Sequence, residues 1–193
     1  ASQVLNAACN PKQFGCALDV TKYAYDPAKA KALLTEAGFV NGVDIEMVFA
    51  AMPRPVAEAI ASDLGKVGIR TTLNEQQYAA GVQKWRAGEL PAFFTNWGSY
   101  GTGDVAFIIS NFFGGGADDL VQDKEVMELV NAADTSQDRA LREANYAKAL
   151  KKIADQAYWL PMYDFNINYG LSKDLTFKPH PDEFARWWLS SWK

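Results

Sequence analysis

Asp44-Ile45-Glu46-Met47-Val48-Phe49-Ala50, then Pro53 and Pro55, then Val56, Ile60, Leu64 and Val67, then Gly68 and the run Ile69 to Leu73: this stretch decides the fold. Its first seven residues alternate and then turn fully apolar, as a strand does on entering a covered sheet. The prolines break that strand, the next apolar residues recur at helical spacing, and Gly68 stops the helix before a second strand. Strand, helix and strand with short links make a βαβ unit, whose crossover is right-handed and whose strands are parallel. The expectation is an α/β fold, a mostly parallel sheet flanked by helices.

Downstream, residues 76–87 give a weaker helix interrupted by Gly81, and Ala92-Phe93-Phe94 is too short an apolar run for anything but a third strand. It runs into a loop holding Trp97, Gly98, Ser99, Tyr100, Gly101, Gly103 and Asp104. Ligands of open α/β sheets sit beyond the carboxyl ends of the strands, so Trp97 and Tyr100 are placed to stack on a small molecule, with Ser99 hydrogen-bonding beside them. The competing reading makes the two aromatics a plug of core at the sheet's end. Met52 and Arg54 follow the first strand at the same edge, and Arg54 is either a partner for an anionic group or a solvated loop arginine.

Upstream, Asp26 followed by Pro27 is a helix start, Ala30, Leu33, Leu34 and Ala37 share one face, and Gly38 supplies the cap of a helix over 27–37. Residues 1–25 read as a connecting segment, 26–172 as the main body, and the proline- and tryptophan-containing tail 173–193 as a piece that packs on something. Past the loop, residues 104–113 read as a helix or packed turn. Gly114-Gly115-Gly116 lacks the Gly-Lys-Ser/Thr of a phosphate loop. Asp123 opens a helix to about 133, and Ser136 is expected to cap a long one over 137–157. Residues 159–163 and 167–171 read as short strands, with Pro161 favouring an edge.

With 193 residues, 49% hydrophobic and 22% charged, and a net charge of -4, the composition is that of an ordinary globular chain. Lys and Arg are scattered among the acids, which excludes nucleic acid as a partner. No apolar run is long enough for a transmembrane segment, and the first residues lack the basic start of a signal peptide. Cys9 and Cys16 flank a turn-rich loop without histidine: a small disulfide or two buried thiols, but no metal site. A disulfide points to an oxidising compartment. No cofactor motif is present, and the lone His180 lacks a positioned catalytic set. The acidic pairs Asp118-Asp119 and Asp182-Glu183 read as solvated caps. An acid-base hydrolase using Asp104 with Asp118 or Asp119, and an interaction module docking through the triple glycine and the aromatic tail, stand as alternatives.

The run from Tyr25 to Phe39, Asp-Pro-x-Lys-Ala-x-x-Leu-Leu-x-Glu-Ala-Gly at its heart, then Asn41-Gly42 and Leu64-Gly65-Lys66-Val67-Gly68-Ile69-Arg70, resembles the family 5 extracellular solute-binding proteins, receptors of ABC importers. The Trp97 loop, Asp138-Arg139 with Tyr146 and Ala149, Trp159-Leu160-Pro161-Met162 and Trp192 extend the likeness from about Pro11 to Trp192. The resemblance implies one lobe of a type II periplasmic-binding-protein-like fold, the carboxyl-terminal one, with a tail that returns to an amino-terminal lobe preceded by the signal sequence. It implies a periplasmic or extracellular receptor without catalysis, closing two lobes on a small solute and serving a membrane permease. Peptide-binding members carry a Trp-x-Ala-Asp segment whose Asp receives the peptide's amino terminus. Here Trp97, Gly98, Ser99 and Tyr100 stand there, and a neutral phenol supplies no such charge. Asp104 lies four residues on, so opines, sugars and other polar metabolites stand beside peptides as ligands.

Overall fold

The computed structural model describes residues 2–98, 102–180 and 184–193. The chain divides into two compact units, Tyr23–Trp97, and Ala1–Lys22 with Gly98–Lys193.

In Tyr23–Trp97, helix α1 (Pro27–Glu36) precedes β1 (Val43–Phe49), α2 (Arg54–Gly65), β2 (Ile69–Glu75), α3 (Tyr78–Arg86) and β3 (Ala92–Phe94). Asp26 accepts from the Lys29 amide at 2.9 Å, as the capping argument requires. At the other end of α1 the amides of Gly38 and Phe39 return to the carbonyls of Thr35 and Leu34. The three strands are parallel in the order β2-β1-β3, with Val43 opposite Ile69 and Phe49 opposite both Glu75 and Phe94. Being central, β1 is covered on both faces, and Met47, Val48, Phe49 and Ala50 are all buried.

The two faces are covered by different helices. Met47 and Phe49 pack with Ala57 of α2, joined by Ile60, Leu73, Ala92 and Phe94. On the other face Val48 and Phe93 meet α3 at Gly81, where an added Cβ would lie 2.9 Å from the Phe93 ring. The glycine that interrupts the helical pattern is thus what lets α3 approach the sheet.

In the other unit, α4 (Ala106–Phe113), α5 (Lys124–Asp134) and α6 (Arg139–Asp155) pack through Ile109, Phe112, Phe113, Val126, Val130, Ala133, Tyr146, Ala149, Leu150 and Ile153. Cys9 and Cys16 form a disulfide. Three expectations are corrected here. Asp138, not Ser136, caps α6, accepting from the amides of Ala140 and Leu141; the Ser136 hydroxyl instead accepts from the Asp138 amide. The helix ends at Asp155 because Ala157 takes a φ of 51°, a left-handed position more usual for glycine. Residues 159–163 and 167–171 form no strand. Pro161 has no amide to give a ladder, and Trp159 packs on Phe112 and Phe113, leaving one isolated bridge between Val4 and Tyr163.

The tail forms a two-stranded antiparallel ribbon, β4 (Leu175–Thr176) with β5 (Ser191–Trp192), and a 3-10 turn at Trp187–Leu189. Trp188 and Trp192 are 76% and 73% exposed, so the tail's aromatic surface is not consumed within the described residues. Among those residues no helix is long and apolar enough to cross a membrane.

Candidate functional site

The order β2-β1-β3 has a geometric consequence. The chain leaves the central strand β1 to one side, then crosses back through α3 to place β3 on the other. Right-handed crossovers in opposite directions put α2 and α3 on opposite faces of the sheet, and the edge beyond the carboxyl ends of the strands is where open α/β sheets hold ligands.

That edge is built from Ala50 to Arg54 after β1 and Thr95 to Trp97 after β3. The two exits are tied together: the Ala50 amide donates to the Phe94 carbonyl at 3.1 Å, and the Asn96 Nδ2 to the Ala51 carbonyl at 2.7 Å. Ala51 holds a φ of 56°, a strained conformation for a residue with a Cβ. Two polar atoms are buried here without a hydrogen-bond partner among the described residues, Oγ1 of Thr95 and Oε1 of Gln76, the residues directly after β3 and β2. Such an unmet group costs about 1–3 kcal/mol.

Of the sequence-derived site residues, three lie in this unit. Trp97 is half-buried directly beyond β3. Met52 packs against the Met47, Phe49 and Ala57 cluster, so its side chain is partly core. Arg54 donates to Glu58 at 3.0 Å and to Glu75 at 3.4 Å, with its guanidinium 6.0 Å from the Phe49 ring. Both carboxylates and the arginine are more than half exposed, so the pairing is weak and the trio carries one net negative charge. Ser99 and Tyr100 lie outside the described residues.

Asp104 belongs to the other unit. Its Oδ1 accepts from the Ala106 amide at 2.9 Å and its Oδ2 from Arg142 at 2.8 Å. Asp119 is 1% exposed and accepts three backbone amides, from Gly115, Val121 and Gln122, and Asp118 accepts from Asn111. All three carboxylates are held as hydrogen-bond acceptors. Among the described residues no group of three or more His, Cys, Asp or Glu is placed to hold a metal ion. The sequence reading passed over Ala51, Gln76, Thr95 and Asn96. Gln76 and Thr95 were legible as first residues beyond strands, whereas nothing in the sequence signals a left-handed Ala51.

The sequence profile of the bacterial extracellular solute-binding proteins, family 5 (middle region), matches residues 2–119. The chain belongs to this family. The heme-binding protein A of Haemophilus influenzae is 30% identical to it over 156 residues, covering 75% of this chain and 28% of that protein. The di/tripeptide-binding protein 2 of Pseudomonas aeruginosa is 29% identical over 164 residues, covering 79% of this chain and 31% of that one. The solved structure of HbpA2 from Haemophilus parasuis superposes with a TM-score of 0.82 at 25% identity, over 100% of this chain and 40% of its own. This family 5 chain has the α/β architecture of part of a type II periplasmic binding protein, and spans less than a third of those two curated relatives.

Proposed function

We propose that this family 5 chain is the carboxyl-terminal lobe of a periplasmic or extracellular receptor that delivers a small polar solute to the permease of an ABC importer, without catalysis. Residues 26–172 form the ligand-binding lobe, 1–25 the connection and 173–193 the tail that returns to the amino-terminal lobe. Capture works by hinge closure: the solute contacts both lobes at once and so stabilises the closed arrangement.

The observation that carries the reading is the placement of a strained Ala51 and a half-buried Trp97 together beyond the carboxyl ends of β1 and β3. Trp97 and Tyr100 stack on the solute, Ser99 and Asn96 hydrogen-bond to it, and Met52 and Arg54 border it. Asp104, already paired with Arg142, closes the segment without a free charge to offer. With a tyrosine at position 100, recognition does not depend on a carboxylate meeting an ammonium there, so both short peptides and non-peptide metabolites such as opines or sugars are accommodated. The relatives named above, a heme-binding and a di/tripeptide-binding protein, likewise differ widely in ligand.

The test is native mass spectrometry of the complete gene product, exported and purified without denaturation. A co-purifying solute lost on Trp97→Ala or Tyr100→Ala, with the circular dichroism unchanged, supports the site. Retention of that solute by both variants removes it.

A further inference from the structure

The α1 helix is attached to its unit differently from α2 and α3. It buries no residue, and between it and the turns that open β1 and β2 lies a cavity of about 490 Å³. Lys31, Leu34 and Thr35 of α1 form one wall, residues 39–42 a second and residues 65–68 a third. All belong to the Tyr23–Trp97 unit. The cavity sits at the amino ends of β1 and β2, the opposite end of the sheet from Trp97.

Backbone closes the floor. The Val43 amide donates to the Gly68 carbonyl at 3.0 Å, and a Cβ added at Gly42 would overlap that same oxygen. Gly42 and Gly68 hold φ values of 78° and 98°, so each is required by its turn. Gly65 is different. It is the last residue of α2, without a positive φ, and an added Cβ there would meet nothing within 4 Å. Glycine weakens a helix relative to alanine, and neither backbone geometry nor a neighbour accounts for it at position 65. What it does is leave open the part of the cavity that residue 65 lines.

The lining is amphiphilic. Among the described residues it carries two ammonium groups, those of Lys31 and Lys66, and no carboxylate. Lys31 enters no ion pair among those residues. Lys66 pairs with Asp63 at 2.6 Å, but both side chains are more than half exposed, so the pair is weak and exchanges readily for a ligand. Beside them Phe39 and Val40, 46% and 68% exposed, present apolar surface, and Leu34 and Val67 extend it. Two cations next to an apolar wall complement a molecule with the reverse pattern, an anionic head on an apolar body, and the volume is that of a small-molecule site.

The geometry points to a second binding site on this chain, for a small amphiphilic carboxylate. The carboxylate meets Lys31 and Lys66, and the apolar body lies on Phe39, Val40 and Val67 in the space that Gly65 leaves. It shares no residue with the solute edge proposed above and does not rest on that reading.

The test uses the complete gene product with leucine and valine methyl groups labelled, titrated with octanoate and, separately, with octylammonium and octan-1-ol. Octanoate is expected to shift the methyl resonances of Leu34, Val40 and Val67 saturably, whereas octylammonium does not and octan-1-ol binds more weakly. Lys31→Gln together with Lys66→Gln is expected to weaken octanoate binding about fivefold, the worth of exposed ion pairs. Gly65→Leu fills the space, and is expected to abolish the shifts with no fall in melting temperature, since leucine favours helix and its Cβ meets no neighbour there. No saturable shift in the unaltered protein, or octylammonium or octan-1-ol binding as well as octanoate, overturns the proposal. So does undiminished binding by the double lysine variant or by Gly65→Leu. A lower melting temperature for Gly65→Leu means that packing requires the glycine, and overturns the argument from access. Trp97→Ala is expected to leave the octanoate shifts unaltered. Their loss in that variant places the octanoate at the solute edge and removes the second site, while the solute reading keeps its own test.

Discussion

Among the described residues Asp119 is the buried acid, and its removal has a calculable effect. Its Oδ2 accepts from the Gly115 amide at 2.9 Å, and its Oδ1 from the amides of Val121 and Gln122 at 3.1 and 2.8 Å. These bonds fold the triple glycine back on the start of the turn before α5. Hydrogen bonds to a charged acceptor contribute about 1.5–3 kcal/mol each when buried, and Gly115 and Gln122 lie at the surface, where water replaces part of what is lost. At the lower value the three bonds amount to about 4.5 kcal/mol, and with water replacing part of that loss Asp119→Ala is expected to destabilise by about 3–4 kcal/mol. Asp119→Asn keeps one carbonyl oxygen for two amides and turns a donor toward the third, so about half that loss is expected. Urea unfolding followed by far-ultraviolet circular dichroism gives the two midpoints, read at constant slope. A loss below about 0.5 kcal/mol for the alanine form, the range of ordinary surface substitutions, refutes the reasoning. So does an asparagine form as unstable as the alanine form, since the count of retained acceptors would then not matter.

The acid side of the stability profile is set in part by Asp123, whose carboxyl is lowered to about 2, first by the Lys152 ammonium and then by the Tyr158 hydroxyl and the Val126 amide. A carboxyl depressed in the folded state stabilises fully above its unfolded value near 3.8 and loses that contribution as pH falls through 2. Asp123→Asn is thus expected to flatten the fall in melting temperature between about pH 4 and pH 2, and an unaltered slope in that window would falsify the assignment. At Gly81, leucine must displace the Phe93 ring, whose nearest atom lies 2.9 Å from an added Cβ. Overpacking of this kind costs about 1–3 kcal/mol, and Phe93→Ala in the same chain should recover part of it in a double-mutant cycle. Additive effects would mean that α3 does not meet the sheet there.

The contrast between what was readable and what was not follows the range of the interactions. The α1 cap at Asp26 and Pro27, its stop at Gly38 and the alternation of β1 are local, each written in neighbouring residues, and each appears where the sequence puts it. The end of α6 was misplaced because an alanine, Ala157, occupies the left-handed position that sequence reading expects of glycine. Two apolar segments after α6 have strand-like composition and no strand. A strand exists only when a partner offers its amides and carbonyls, and Trp159 is instead engaged with Phe112 and Phe113. The tail shows the converse, since Leu175 pairs with Trp192 across a separation that no local pattern announces.

By itself the sequence determined the βαβ unit, the parallel sheet and the family, because strand period, helix period and turn chemistry act over a few residues. Only the tertiary structure decided the strand order that places β1 at the centre, between β2 and β3. It also decided that Gly81 is a contact rather than a flaw, and that Asp104 answers to Arg142, 38 residues away. Those facts depend on which elements pack together, and the free energy that selects among packings comes from burial and charge pairing between distant residues, which leaves no local trace in the chain.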